Sequence, residues 1–285
     1  MRARSLVVGV VGAGRVGAVL GAALAAAGHD VVATAAVSAA SQERARRLLP
    51  RAAIRPADEV ARAATDLLLL AVPDDALRGV AAGLPISSRT VVAHTSGAHG
   101  PAVLGDVNGL ALHPAMTFTG AAGDLARLPG IAWGVTARDR AFAARLVTDL
   151  GGVPEWIAED ARPTYHAALA HGSNHLVTLV NEAADLLRAA GVEQPAVVLS
   201  PLLHAALDNA LALGDAALTG PVSRGDAGTV RKHLERLSPE SAPAYLALAR
   251  RTADRAIAAG RLRPQDAALL LDVLATAHAT VGSPS

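Results

Sequence analysis

The chain has 285 residues, a net charge of +1, no cysteine and an aromatic content of 2%. That length suits one large or two ordinary domains with a sizeable core. Zero cysteines exclude disulfides, thiolate metal sites and cysteine nucleophiles, and the near-neutral, aromatic-poor composition offers no footing for nucleic acid. Most of the 52% apolar content is Ala, Val and Leu, which suits close packing of small-residue helices.

The start, Met1-Arg2-Ala3-Arg4 before an apolar run, has the outline of a secretory signal. Cleavage there would discard Arg15 and the glycines beside it, so that reading fails. No uninterrupted apolar stretch approaches bilayer length, and a soluble, cytoplasmic protein without a membrane or nucleic-acid partner is expected.

The first apolar run, Leu6–Val11, reads as a buried strand. It leads directly into Gly12-Ala13-Gly14-Arg15-Val16-Gly17 and then into a helix over Arg15–Ala27. In a Gly-x-Gly-x-x-Gly turn the first glycine allows the tight turn, the second lets a pyrophosphate approach, and the third lets the helix pack on the strand. The unpaired first-turn N–H groups of that helix then favour an anion. Gly12, Gly14, Arg15, Val16 and Gly17 are therefore candidate dinucleotide ligands.

A second strand over Val31–Ala36 ends without an acid where NAD would need one. It offers Ser38, Ser41 and Arg44, which suit a 2′-phosphate, so NADP is expected over NAD. Further strands are expected at Asp66–Val72, Thr90–His94, Leu110–His113 and Ala132–Val135, with strand-type runs near Ala53 and Glu155. Helices are expected at Ser41–Leu49, Asp58–Ala64, Asp75–Ala82 and Arg138–Leu150. This alternation predicts a doubly wound parallel α/β sheet, with ligands beyond the carboxyl ends of its strands. Three loops fall there. Val72-Pro73 precedes Asp74 and Asp75, which read as helix caps; Ser96 and Gly97 suit a nicotinamide or substrate; His113 closes a strand before Pro114 and should face the crevice.

From Asp160 onward helix patterns dominate. One long helix is expected over Tyr165–Ala190, then others at Ala196–Ala212, Asp226–Leu237, Pro243–Ala259 and Pro264–Thr280. The expected division is a Rossmann domain over 1–158 and an all-helical domain over 159–285. At 3.6 residues per turn His166, Ala170, Ser173 and Asn174 would share one face, a polar stripe toward substrate or another helix. Arg224, between Gly220-Pro221 and Gly225, can hold a carboxylate, bridge two protomers or brace its loop. Asp226 reads as a helix N-cap. His171 and His175 lack a third ligand, so no metal site is expected.

Together these residues resemble the superfamily of 6-phosphogluconate dehydrogenase, pyrroline-5-carboxylate reductase and ketopantoate reductase. The likeness rests on Gly12–Gly17, on Leu70-Ala71-Val72-Pro73-Asp74 and on the helical second half. His94-Thr95-Ser96-Gly97, His113-Pro114 with Phe118, Tyr165-His166, Ser173-Asn174 and Gly220-Pro221-x-x-Arg224-Gly225-Asp226 look like one branch of it: a Rossmann-like domain plus a helical domain of unassigned function. The resemblance implies nicotinamide-dependent reduction of C=O or C=N bonds in small acids, with ketopantoate the first substrate, a pyrroline-type imine the second, and a homodimer as the assembly. Several superfamily enzymes use a lysine as general acid on the first long helix of the second domain. This chain has none there; its single lysine is Lys232. Proton donation would fall to His166 or His113, with Asn174 orienting the reacting group and Ser173 and Arg224 holding substrate. The missing lysine also leaves open an NADP-binding sensor or scaffold without turnover.

Overall fold

In a computed structural model, which describes residues 4–281, Val7–Val11 forms the first strand (β1) of an eight-stranded sheet. Residues 1–3 of the signal-like start lie outside the described residues. The other strands are β2 (Asp30–Ala35), β3 (Ala53–Ile54), β4 (Leu67–Leu70), β5 (Val91–His94), β6 (Gly109–Pro114), β7 (Ala132–Ala137) and β8 (Val153–Trp156). Their order is β3-β2-β1-β4-β5-β6-β7-β8, parallel throughout except where β6 meets β7. Strand order reverses between β1 and β4, the switch point at which such sheets open a crevice. Ala35, Val11, Leu70, His94 and Ala111 stand in one row across five neighbouring strands, so the loops that follow them leave from a single edge.

The helices around this sheet are α1 (Arg15–Ala26), α2 (Ala39–Leu48), α3 (Ala57–Ala63), α4 (Asp74–Gly83) and α5 (Arg140–Asp149). β4 shows how both faces are covered. Leu67 and Leu69 pack with Val19, Leu20 and Leu24 of α1, while Leu68 and Leu70 pack with Val60 of α3 and Leu77 of α4. Each such leucine is worth about 1.5–3 kcal/mol of burial, which is why the strand reads as four consecutive leucines. Asp74 and Asp75 do not cap α4. Pro73 holds the N-cap position without a side-chain bond, and the two acids sit in the first turn, where the helix dipole favours them.

The expected single helix over Tyr165–Ala190 is two helices. α6 (Arg162–Leu169) passes through a π-turn, Ala170–Asn174, before α7 (His175–Ala189) begins. A π-turn bonds i to i+5, so the 3.6-residue spacing that would align His166, Ala170, Ser173 and Asn174 does not hold across it. The two units divide at Ser173/Asn174 rather than at 158/159. The reason is Arg162: it is buried, and its guanidinium bonds Ser96 O at 2.9 Å and Thr136 Oγ1 at 2.8 Å, tying α6 to the sheet.

The second unit contains α7, α8 (Pro195–Leu213), the short α9 (Gly220–Ser223), α10 (Ala227–Leu234), α11 (Ala242–Ala258) and α12 (Pro264–Val281). Val222, Val230, Leu246, Ala253, Leu270 and Leu274 contribute to its core. Asp226 caps α10 as expected, accepting the Thr229 N–H at 3.0 Å. Pro195–Ser223 is long and apolar enough, by length and composition alone, to cross a membrane, with 6% of its apolar window buried, although Ser200, His204, Asp208 and Asn209 interrupt its apolar run.

Candidate active site at the strand edge

The β1–α1 turn has the geometry that its glycines suggest. Gly12 has φ +97°, a left-handed conformation, and a side chain there would meet Ala71 O at 2.5 Å. A side chain at Gly17 would run into the Gly12 carbonyl and Ala71. Gly14 differs from both, because a side chain there would meet nothing within 4 Å. Gly14 is the N-cap of α1, makes no side-chain cap bond, and is followed by a first turn without an acid. Val16 turns inward onto the main core, and Arg15 is exposed. The result is an open helix mouth whose N–H groups suit a pyrophosphate.

Cations flank this mouth. Arg44 donates to Ala13 O at 3.2 Å and Arg47 to Gly120 O at 3.1 Å. A side chain on Gly120 would meet both Arg44 Nε and Arg15 Cγ, so Gly120 lies against the Arg44 guanidinium and the stem of Arg15. Ser38 caps α2 by accepting the Ser41 N–H at 3.1 Å, and the Ser41 hydroxyl donates to Ser38 O at 2.8 Å. At the end of β2 the cluster is thus built from arginine and serine, with no carboxylate among the described residues bonded to Arg44. That donor set suits a phosphate better than a diol.

At the ends of β5 and β6 three groups converge. A side chain at Gly97 would meet His166 Cδ2 at 2.7 Å and His113 Cδ2 and Nε2 at 3.1 Å. The His113 and His166 rings are 6.2 Å apart, edge to face, and His113 Nδ1 lies 3.0 Å from the Tyr165 hydroxyl. Burial, then the Arg162 and His166 charges, push the His113 pKa down to about 4, so the ring is neutral at pH 7. Burial likewise pushes the Tyr165 hydroxyl up, keeping it protonated. His94 supports the loop: its Nδ1 accepts the Ser96 N–H at 3.2 Å and its Nε2 faces Gly100 O at 3.2 Å. Burial, with Arg162 next, takes its pKa to about 4 as well.

The structure thus brings together Ser96, Gly97, His113 and His166 of the expected residues, and places Val72 beside Gly12. Ser173 is half-buried and Asn174 exposed within the π-turn; Arg224 is exposed and closes α9 in the helical unit. Sequence patterning does not mark Arg162, an arginine in a short charged stretch; it reads His94 only as the start of the His94-Thr95-Ser96-Gly97 segment, because the ring bonds that brace the loop become visible only once it is folded. Tyr165 is legible only beside His166 in the resemblance. Among the described residues no group of three His, Asp or Glu side chains is placed to hold a metal ion.

Residues 1–114 match the Rossmann-like domain family, and residues 131–252 match the family described as Domain of unknown function (DUF2520). No curated protein matches the chain. A candidate NADP oxidoreductase from Bacteroides fragilis is similar at TM-score 0.75 and 22% identity, over 88% of this chain and 98% of that one. A reductive aminase from Aspergillus terreus, in complex with NADPH and ethyl levulinate, gives TM-score 0.64 and 18% identity over 94% and 99%. The 1-pyrroline-5-carboxylate reductase of Streptococcus pyogenes gives 0.62 and 16% over 88% and 98%. At these identities the likeness is one of fold.

Proposed function

We propose that the chain is a cytoplasmic NADP-dependent oxidoreductase that reduces the C=O bond of a small 2-oxo acid, 2-dehydropantoate first among candidates. The observation that carries this reading is the open mouth of α1 at Gly14, uncapped, without a first-turn acid and flanked by Arg15 and Arg44. Gly12, Gly14, Arg15, Val16 and Gly17 would hold the pyrophosphate, Ser38, Ser41 and Arg44 the 2′-phosphate, and Val72, Pro73, Ser96 and Gly97 the nicotinamide. When bound, the nicotinamide supplies hydride. His113 and His166, converging on Gly97, would hydrogen-bond and protonate the reacting group. Ser173, Asn174 and Arg224 are proposed as substrate contacts, each to be assigned by a rise in KM on substitution.

The likeness to pyrroline-5-carboxylate reductase and to a reductive aminase favours a second substrate class, a cyclic or open imine. Titrating the purified protein with NADPH and NADH, while screening 2-oxo acids and imines for loss of nicotinamide absorbance, tests all of this. We expect NADPH to bind more tightly than NADH, and Gly14→Val to abolish binding by filling the mouth. Binding without turnover of any acid or imine would instead identify a sensor or scaffold. Failure of both nucleotides to bind at millimolar concentration overturns the proposal.

The same reading includes a homodimer. Leu176, Val177, Leu179 and Leu186 on α7, and Val197, Val198, Leu202, Leu207, Leu211 and Leu213 on α8, are exposed large apolar residues. Apolar surface on that scale calls for a cover, and a second copy supplies an identical one. Sedimentation of a monomer at micromolar concentration would remove this part.

A further inference from the structure

The connection from β6 to β7 reaches the arginines beside the α1 mouth. Phe118, Leu125 and Leu128 anchor it on the main core, and a short 3-10 helix runs over Ala122–Arg127. Its tip, Thr119-Gly120, is folded around one buried acid. Asp124 is 2% exposed and accepts the Thr119 and Gly120 N–H groups, each at 2.8 Å, and the Thr119 hydroxyl at 3.0 Å. A carboxylate taken out of water needs such donors, and bonds to a charged acceptor are the strong kind. The tip backbone is thereby fixed. Gly120 stands in it at φ +79°, a conformation that strains any residue with a side chain.

Gly120 meets two of the three arginines of α2. Its carbonyl accepts from Arg47 at 3.1 Å. A side chain on it would lie 2.6 Å from Arg44 Nε, so only a bare glycine lets Arg44 lie along the tip. Arg44 spends one N–H on Ala13 O at 3.2 Å, the carbonyl just before Gly14, and a guanidinium keeps further donors beyond that one. The third arginine differs: Arg46 faces Glu43 at 3.6 Å, whereas among the described residues Arg44 and Arg47 form no ion pair. Two guanidiniums held against one glycine without a carboxylate repel each other, and an anion between them relieves that repulsion. Their fork geometry matches a phosphate.

We propose that Asp124 and Gly120 are positioning residues for nucleotide selection: through the tip they hold Arg44 and Arg47 as a two-arginine clamp for the phosphate on the adenosine ribose, and so set the preference for NADPH over NADH. The inference rests on reading the α1 mouth as a nucleotide site. Asp124 acts on the tip and the tip acts on the arginines, so neither positioning residue has to touch the nucleotide. Arg47 joins Arg44 as a direct phosphate contact.

The test is fluorescence titration of the full chain with NADPH and with NADH. The wild type should prefer NADPH. Gly120→Ala, which pushes Arg44 off the tip, should weaken NADPH binding by about tenfold and leave NADH binding within about twofold. Asp124→Ala should do the same, and Asp124→Asn, which keeps one acceptor oxygen for the tip, should fall between it and the wild type. Gly123→Ala is the control beside Asp124: a side chain there meets nothing within 4 Å, so both affinities should stay. In a chain carrying Arg44→Ala and Arg47→Ala, adding Gly120→Ala should cost no further NADPH affinity, because the tip acts only through those arginines. If Asp124→Ala does not fold, Gly120→Ala and Asp124→Asn decide. Parallel loss of NADPH and NADH binding marks a merely structural loop and overturns the proposal. So does an unchanged ratio in folded Gly120→Ala, or a further loss in the chain without the two arginines. A wild type that binds neither nucleotide overturns the nucleotide reading and the proposal with it, whereas a wild type that binds NADPH while the variants keep its preference overturns the proposal alone.

Discussion

The two units use the same residue types in opposite ways. In the sheet unit Leu67–Leu70 disappear between helices on both faces, and His94 and Arg162 are buried with bonded partners. In the helical unit α7 buries no residue and α8 buries only Pro195 and Leu199, while leucines and valines on both face outward. The hydrophobic effect is non-directional, so leucine content does not say whether a helix closes its own core or awaits a cover. The sheet unit is complete in itself and carries the converging histidines; the helical unit presents surface.

Acid should break this contrast most strongly. Folded His94 and His113, both held near 4, refuse a proton that the unfolded chain accepts at 6.5. Their stabilisation is present above 6.5 and is lost as pH falls through the window down to about 4, by up to about 3 kcal/mol each. Hydrogen exchange should show the sheet unit opening before the helical unit across that window; simultaneous opening would break the distinction.

Leu70→Ala should cost about 2–5 kcal/mol in urea unfolding, whatever the protein concentration. Leu211→Ala should be nearly neutral at dilutions where the chain is monomeric, and should lower Tm only at higher concentration. Equal costs for the two would erase the contrast.

The glycines sharpen the picture within the sheet unit. Gly12→Ala forces a side chain into left-handed backbone against Ala71 O and should cost on the order of 1–3 kcal/mol of stability. Gly14→Ala should leave stability within about 0.5 kcal/mol while weakening NADPH binding, because its site is open until a phosphate enters. Arg44→Ala acts on the nucleotide alone: NADPH affinity should fall by about tenfold, near 1.4 kcal/mol, with NADH affinity little changed.

Much of the sheet unit could be read directly from the chain. Period, glycine spacing and runs of branched residues are local signals, and they located β1, α1, the leucine strand β4, and even the short β3 and β8 near Ala53 and Glu155. The helix after Asp160 misled for the same reason: a 3.6-residue wheel assumes unbroken α geometry, and the π-turn at Ala170–Asn174 has no distinct signature in Ala-His-Gly-Ser-Asn. The division at 158/159 followed composition, whereas contacts followed Arg162.

By itself the sequence determined the glycine turn and its neighbours, because turn conformation and strand-to-helix succession depend on residues adjacent in the chain. Only the tertiary structure decided that Arg162 lies beneath Ser96, that Tyr165 meets His113 and that Gly97 faces two histidines. Those pairs are separated by up to about seventy positions, and burial, which sets their charge states, is a property of the folded surroundings rather than of any residue alone.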